Sequence, residues 1–208
     1  MKDTNLLNRM YPEKNDQVKR VILKQAVRAF SENSIAATTV EDIRSRSKVS
    51  IGTIYYHFNS KEGILAHLLF AAMDDLFNLR QKYLMEATNF EECVYAFVLG
   101  YVDWVVEHPN FAKIIYTGEF DVYNSSYGEE LSLKKIENRK KLMTWMSLPE
   151  NKYDHSHIPD AIMSSLINGP AEHYCKYWLL DRVGDSPAMY RKDLAHATWM
   201  SVHNFNLG

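Results

Sequence analysis

The chain has 208 residues, 46% hydrophobic and 24% charged, with a formal net charge of −2 and two cysteines. That length holds one large domain or two small ones, and the composition is globular rather than disordered or fibrous. Two cysteines exclude a disulfide framework and fit a reducing cytosol; no apolar run reaches the roughly 18–20 residues of a membrane helix, and residues 1–14 hold no signal-peptide core.

Helical periodicity runs through the sequence, and no alternating strand pattern stands out. The segment carrying Lys2, Arg9 and Lys14 has no sustained apolar stripe and reads as a flexible N-terminal arm. Val18, Ile22, Ala26 and Phe30 recur every four residues, with Leu23 and Val27 beside them, so 16–33 is an amphipathic helix. Thr39 followed by Asp42 is a capping box that opens a short helix to Ser47. Lys48-Val49 is a tight break. Ser50 caps a second short helix, to His57, and Ser60 a longer one from Lys61 to near Met85. Further helices are expected at 90–108, stopped by Pro109, then at 110–120 and 129–146. Residues 121–127 and the polar stretch 147–157 read as loops. Two last helices cover 159–182, interrupted by Gly169-Pro170, and 187–205. The expected fold is all-α: an N-terminal three-helix domain over 1–66, joined by a linking helix to a helical bundle over 67–208.

Two short helices joined by a tight turn form the geometry that lays the second helix in a DNA major groove. That helix reads SIGTIYYHF. Ser50, Ile51, Gly52 and Thr53 at its start are small or flat and let the backbone come close to bases, with Ile51 and Thr53 facing base edges. Ile54 and Phe58, four apart, anchor the opposite face. Tyr55, Tyr56, His57 and Lys61 offer donors to phosphate oxygens, and Thr39 joins them as a candidate DNA contact. Charge agrees: residues 1–67 carry 11 Lys+Arg against 7 Asp+Glu, while the remainder carries 13 against 19.

The run TTVEDIRSRSKVSIGTIYYHFNSKEGIL (38–65) resembles the signature of the tetracycline-repressor (TetR) family of bacterial regulators, and the preceding helix, ILKQAVRAFSENS (22–34), resembles that family's first helix. The similarity covers about 45 residues. It implies a transcription regulator, most simply a repressor that leaves a palindromic operator when its C-terminal domain binds a small effector, and that dimerises through its last two long helices. Departures stand at Ser34, where the family usually has Gly, and at Lys48, where it has Gly or Asn, residues suited to left-handed dihedrals. Arg44 replaces a small Ala, and Gly63 replaces an acidic partner of Ser60.

The C-terminal part permits both implied roles. Phe97, Tyr101 and Trp104, then Tyr116, His173 and Tyr177, are candidate effector contacts for an aromatic or lipophilic molecule. Leu194, Thr198, Trp199, Val202 and Phe205 on the last helix are candidate dimer contacts. His155, His157, Glu172, His173 and Cys175 lack a convincing ligand spacing, so no metal and no cofactor is expected. With no G-x-S-x-G, supported Cys–His pair or phosphate loop, an all-α enzyme is a remote alternative. The nearer one is a helix-turn-helix regulator governed by a protein partner. Either regulator works in the cytoplasm.

Overall fold

The computed structural model describes residues 2–146 and 158–205; the expected loop 147–157, with His155 and His157, lies outside the described residues. Among the described residues every regular element is helical. The α-helices are α1 (Lys2–Met10), α2 (Gln17–Asn33), α3 (Val40–Ser47), α4 (Ile51–Phe58), α5 (Lys61–Leu84), α6 (Phe90–Glu107), α7 (Pro109–Tyr123), α8 (Gly128–Met146), α9 (Asp160–Leu179) and α10 (Arg191–His203). Short 3-10 turns occupy Lys14–Asp16 and Pro187–Met189. Among the described residues no helix is long and apolar enough to cross a membrane.

Packing divides the chain into two compact units, residues 1–75 with 108–136, and 76–107 with 137–208. The division at 66 expected from the motif is one of sequence; by packing, the first unit continues to Asp75 and takes in α7 and the start of α8.

In the first unit the buried stripe of α2 is Ile22, Leu23, Ala26, Val27 and Phe30, with Ile43 of α3, Ile54 and Phe58 of α4, and Ile64, Leu65 and Leu68 of α5 also buried. Burial of each large side chain contributes roughly 1.5–3 kcal/mol. Val18, expected to open the stripe, is exposed at the first turn of α2.

The N-terminal arm expected to be flexible is a helix. Leu6 and Leu7 of α1 are fully buried. The Arg9 guanidinium donates to both carboxylate oxygens of Asp75 at 2.8 Å. The Tyr11 hydroxyl donates to the His67 carbonyl at 3.2 Å and lies 3.1 Å from His67 Nδ1. Two adjacent leucines make no periodic stripe; partners distant in sequence hold this helix.

In the second unit Phe90 and Val94 of α6 pack with Ile158, with Met163 and Ile167 of α9, and with Val202 of α10. Asp103 of α6 accepts from the Tyr83 hydroxyl at 2.6 Å and from Arg191 Nη1 at 2.6 and 2.7 Å, tying the end of α5 and the start of α10 to α6. Both cysteines are buried, and burial pushes each thiol up to about 12. In the first unit, helix α7 runs three residues past its expected end, because the Asn124 side-chain amide and backbone N–H both donate to the Phe120 carbonyl, at 2.8 and 3.1 Å.

Candidate nucleic-acid interface

The two short helices are defined by their caps. Thr39 N–H donates to Asp42 Oδ2 at 2.8 Å and Asp42 N–H to Thr39 Oγ1 at 3.2 Å, the reciprocal bonds of a capping box. The Thr39 hydroxyl donates to the same carboxylate, and these bonds hold the Asp42 carboxyl below its ordinary range. The turn that follows depends on Lys48, whose φ of 58° and ψ of 21° lie in the left-handed region and whose N–H donates to the Arg44 carbonyl at 2.9 Å. Ser50 Oγ then accepts from Thr53 N–H at 3.1 Å and pairs with the Thr53 hydroxyl at 2.8 Å, starting α4.

One face of α4 is spent on the core through Ile54 and Phe58, leaving the other to solvent. On it Tyr56 is 83% exposed, Tyr55 46% and Ile51 42%, with Ser50 and Gly52 exposed and Thr53 and His57 partly so. Thr39 is exposed beside this start of α3. The Tyr56 and His57 rings meet edge to face at 5.1 Å. This is a surface of hydroxyls, flat groups and open backbone, able to donate to phosphate and to approach base edges.

Lys61 differs from the rest. Its ammonium donates to the Ile35 carbonyl at 3.1 Å, closing the α2–α3 loop onto α5. An ammonium has three donors, so this bond leaves others for phosphate, but the side chain also holds the fold. Arg44 is held by Glu41, its Nε donating to both carboxylate oxygens at 2.7 and 2.8 Å; the bond lowers the Glu41 carboxyl and raises the guanidinium. Behind α4, Phe58 meets His67 edge to face at 5.0 Å, and burial, with Lys19 and His57 nearby, lowers the His67 imidazole.

Of the six candidate effector residues, Phe97, Tyr101, Trp104, His173 and Tyr177 belong to the second unit and Tyr116 to the first. In the second unit a void of about 10 Å³ is lined by Leu84, Phe90, Cys93, Val94, Phe97, Leu142 and Ile167, so Phe97 alone of the six borders it. Tyr101 and Trp104 are buried in the packing of α6. Although α9 continues through Pro170, His173 and Tyr177 point outward, their rings 4.6 Å apart on the exposed face. Tyr116 lies on α7, in the first unit. On α6 Tyr101 and Trp104, at helical spacing, fill the core of their own unit, whereas His173 and Tyr177 of α9 face solvent. Arg80, whose guanidinium stacks on Phe97 at 3.6 Å, was missed in the sequence; its place one turn before Leu84 on α5 is the signal that marks it.

The candidate dimer residues also need correction. Thr198 and Val202 are fully buried inside the single chain and have no surface to offer. Trp199 packs on Phe90 with ring centroids 6.2 Å apart, and Phe205 packs on the same core cluster. Leu194 is half-buried, its carbonyl accepting from the Thr198 hydroxyl at 2.9 Å. The outward face of α10 carries His196, Ala197, Met200 and His203 instead.

Residues 22–68 match the family model for bacterial regulatory proteins of the tetR family. The chain is 28% identical over 141 residues to the transcriptional repressor KstR2 of Mycolicibacterium smegmatis, a match covering 67% of each protein. With other curated repressors the matched part is shorter, 28% to 48% of their length. Among solved structures, a TetR-family transcription regulator from Marinobacter aquaeolei superposes with a TM-score of 0.74 at 14% identity, covering 91% of this chain and 97% of that one. The transcriptional regulator FadR of Bacillus subtilis, solved in complex with stearoyl-CoA, gives 0.68 at 18% identity, covering 90% and 100%. These relatives are regulators, not enzymes.

Proposed function

We propose, from the match of residues 22–68 to the tetR-family model and the likeness to the repressor KstR2, that this chain is a DNA-binding regulator of the TetR family, that it represses transcription from a palindromic operator as a homodimer in the cytoplasm, and that it lets go when its second unit binds a small lipophilic effector. The observation that carries the DNA half is the outward face of α4: Ile51, Gly52, Tyr55 and Tyr56 stand free while Ile54 and Phe58 hold the helix from behind. Ile51 and Thr53 face base edges, and Tyr56, with the remaining donors of Lys61, meets phosphate. Support for the effector comes from the apolar void of the second unit and from the stearoyl-CoA held by FadR of Bacillus subtilis.

The test is binding of the protein to its footprinted operator and to random duplex across a salt series. Tyr56→Phe should weaken both DNAs to a similar degree, whereas Thr53→Ala should cost roughly 1–2 kcal/mol on the operator and little on random duplex. Lys61→Ala should flatten the salt slope by about one per dimer half, and it should lower the melting temperature too, because the bond to Ile35 is lost. Wild-type protein that binds operator and random duplex equally would defeat the reading. For the effector, a panel of lipophilic compounds should contain one that raises the melting temperature by mass action and releases operator; none doing so favours control by a protein partner.

A further inference from the structure

Behind α4 runs a chain of contacts that begins outside the helix-turn-helix. Tyr11 follows α1, whose Leu6 and Leu7 are fully buried. Arg20 of α2 fixes the backbone there, its Nη1 donating to the Tyr11 carbonyl and, at 3.0 Å, to that of Glu13. The Tyr11 hydroxyl then meets His67 of α5 twice, donating to its carbonyl at 3.2 Å and lying 3.1 Å from its Nδ1. A hydroxyl has one proton to give. With the carbonyl taking it, Nδ1 carries its own proton and donates to the hydroxyl oxygen, which fixes the imidazole in place. The ring so held stands edge to face with Phe58, centroids 5.0 Å apart and planes at 86°. Phe58 is fully buried and, with Ile54, is what anchors α4 on the first unit.

We propose that Tyr11 and His67 are positioning residues for α4: the hydroxyl holds the imidazole, the imidazole backs Phe58, and Phe58 sets the tilt at which Ile51 and Thr53 meet base edges. The inference rests on the DNA-binding reading above and adds two residues behind the helix. Reading a base edge demands a fixed tilt, whereas phosphate contacts made by long side chains can follow the DNA backbone. Burial, with Asp16 and Asp74 nearby, raises the Tyr11 hydroxyl far above its ordinary value, so it stays a donor throughout. The imidazole is the partner that titrates. Burial is the main cause that lowers it, and Lys19 of α2 and His57 of α4 add like charge. Of these neighbours Lys19 pairs with Asp16 at 3.3 Å, and Asp74 pairs with Lys134 of α8 at 2.6 Å. The fold therefore favours the neutral ring. That contribution is complete above the ordinary histidine value of 6.5 and is lost as pH falls through it toward the lowered one. A protonated ring beside Lys19 and His57 leaves its place, and α4 loses the support behind Phe58.

The test is binding of the full chain to its footprinted operator and to random duplex, side by side from about pH 7.5 to about pH 5.5, read as the ratio of the two affinities. His57 on the outward face of α4 gains charge in the same range, but added attraction to phosphate raises both affinities and cancels in the ratio. For wild type the ratio should fall at least about threefold toward acid. Tyr11→Phe keeps the ring and removes the hydroxyl. At neutral pH its ratio should be lower by about three- to tenfold, the ordinary worth of one hydrogen bond, with little change on random duplex. His67→Phe keeps an aromatic ring against Phe58 and cannot titrate, so its ratio should be flat across the range. General loosening of the fold would weaken both DNAs together and leave the ratio alone. If Tyr11→Phe discriminates as well as wild type, or if His67→Phe keeps the wild-type dependence on pH, the two residues do not position α4 and the regulator reading stands. Tyr11→Phe decides alone where His67→Phe does not fold. Wild type that fails to discriminate at neutral pH defeats the regulator reading, and this inference with it.

Discussion

Ser34 holds φ at 72° and ψ at 160°, a region that only glycine enters without strain. It stands between α2 and the capping box of α3, so the chain reverses there whatever residue is present. The serine partly offsets the cost, with its hydroxyl accepting from Ala37 N–H at 3.3 Å and its carbonyl accepting from the Thr38 hydroxyl at 2.7 Å. Strain at such a site is worth about 1–3 kcal/mol and the side-chain bond about 1 kcal/mol. Ser34→Gly should therefore stabilise the protein by about 1 kcal/mol, a rise of roughly 2–4 °C in Tm followed by circular dichroism. A lower Tm would mean that the hydroxyl matters more than the dihedral. The departure at Ser34 was legible from the family resemblance, and so was that at Lys48; the ψ of Ser34, far from the left-handed helix region, was not. It follows from where α3 must start.

At the scale of elements, the junction of α4 and α5 is the tightest in the first unit. Asn59 has φ 60° and ψ −37°, and Ser60 N–H reaches back to the Phe58 carbonyl at 2.6 Å, a three-residue turn of the strained kind. The same carbonyl receives the Tyr127 hydroxyl at 3.4 Å. Gly63 makes room for all of this, since a Cβ on it would stand 1.8 Å from the Phe58 carbonyl oxygen and 2.7 Å from the Tyr127 hydroxyl. Ser60 still caps α5, accepting from Gly63 N–H at 3.1 Å, so the missing acidic residue does not cost the cap. Gly63→Ala must push the end of α4 or the tyrosine aside. The expected result is a loss of roughly 1–3 kcal/mol in urea unfolding and a further loss of operator affinity, as α4 is displaced on its anchors. Unchanged stability and affinity would show that the turn yields freely. The sequence marks Gly63 as a departure; its reason lies in Tyr127, 64 positions away and outside any local pattern.

Across the whole molecule, the proposed dimer needs variants at exposed positions of the last two long helices rather than at core ones. Charging Trp199 or Phe205 would strike the core cluster of Phe90, Val94 and Ile167 rather than a surface. On the outward faces of the last two long helices Met200 is 42% exposed and Leu180 is exposed near the end of α9. Met200→Glu with Leu180→Glu should give monomers in sedimentation with helicity retained. Val202→Asp, which buries a charge, should instead lower the melting temperature sharply at any oligomeric state. If the double variant sediments like wild type, the partner surface lies elsewhere.

What the sequence determined by itself is what local rules decide. Helix periodicity, two N-caps, the capping box and the break at Lys48 gave α2 to α5 to within a residue or two, because each depends on residues no more than four apart. The exposed face of α4 was legible for the same reason: Ile54 and Phe58 identify the buried side, and the rest must face out. What only the tertiary structure decided is which partner each apolar or charged side chain takes. Leu6 and Leu7 were buried on a helix whose Arg9 reaches Asp75 and after which Tyr11 bonds to His67, Lys61 turned to Ile35, Thr198 and Val202 went inward, and Arg80 came to rest on Phe97. Periodicity says that a helix has an apolar face. Whether that face meets its own chain, a ligand or a second copy depends on contacts between residues far apart in sequence, which no local spacing encodes.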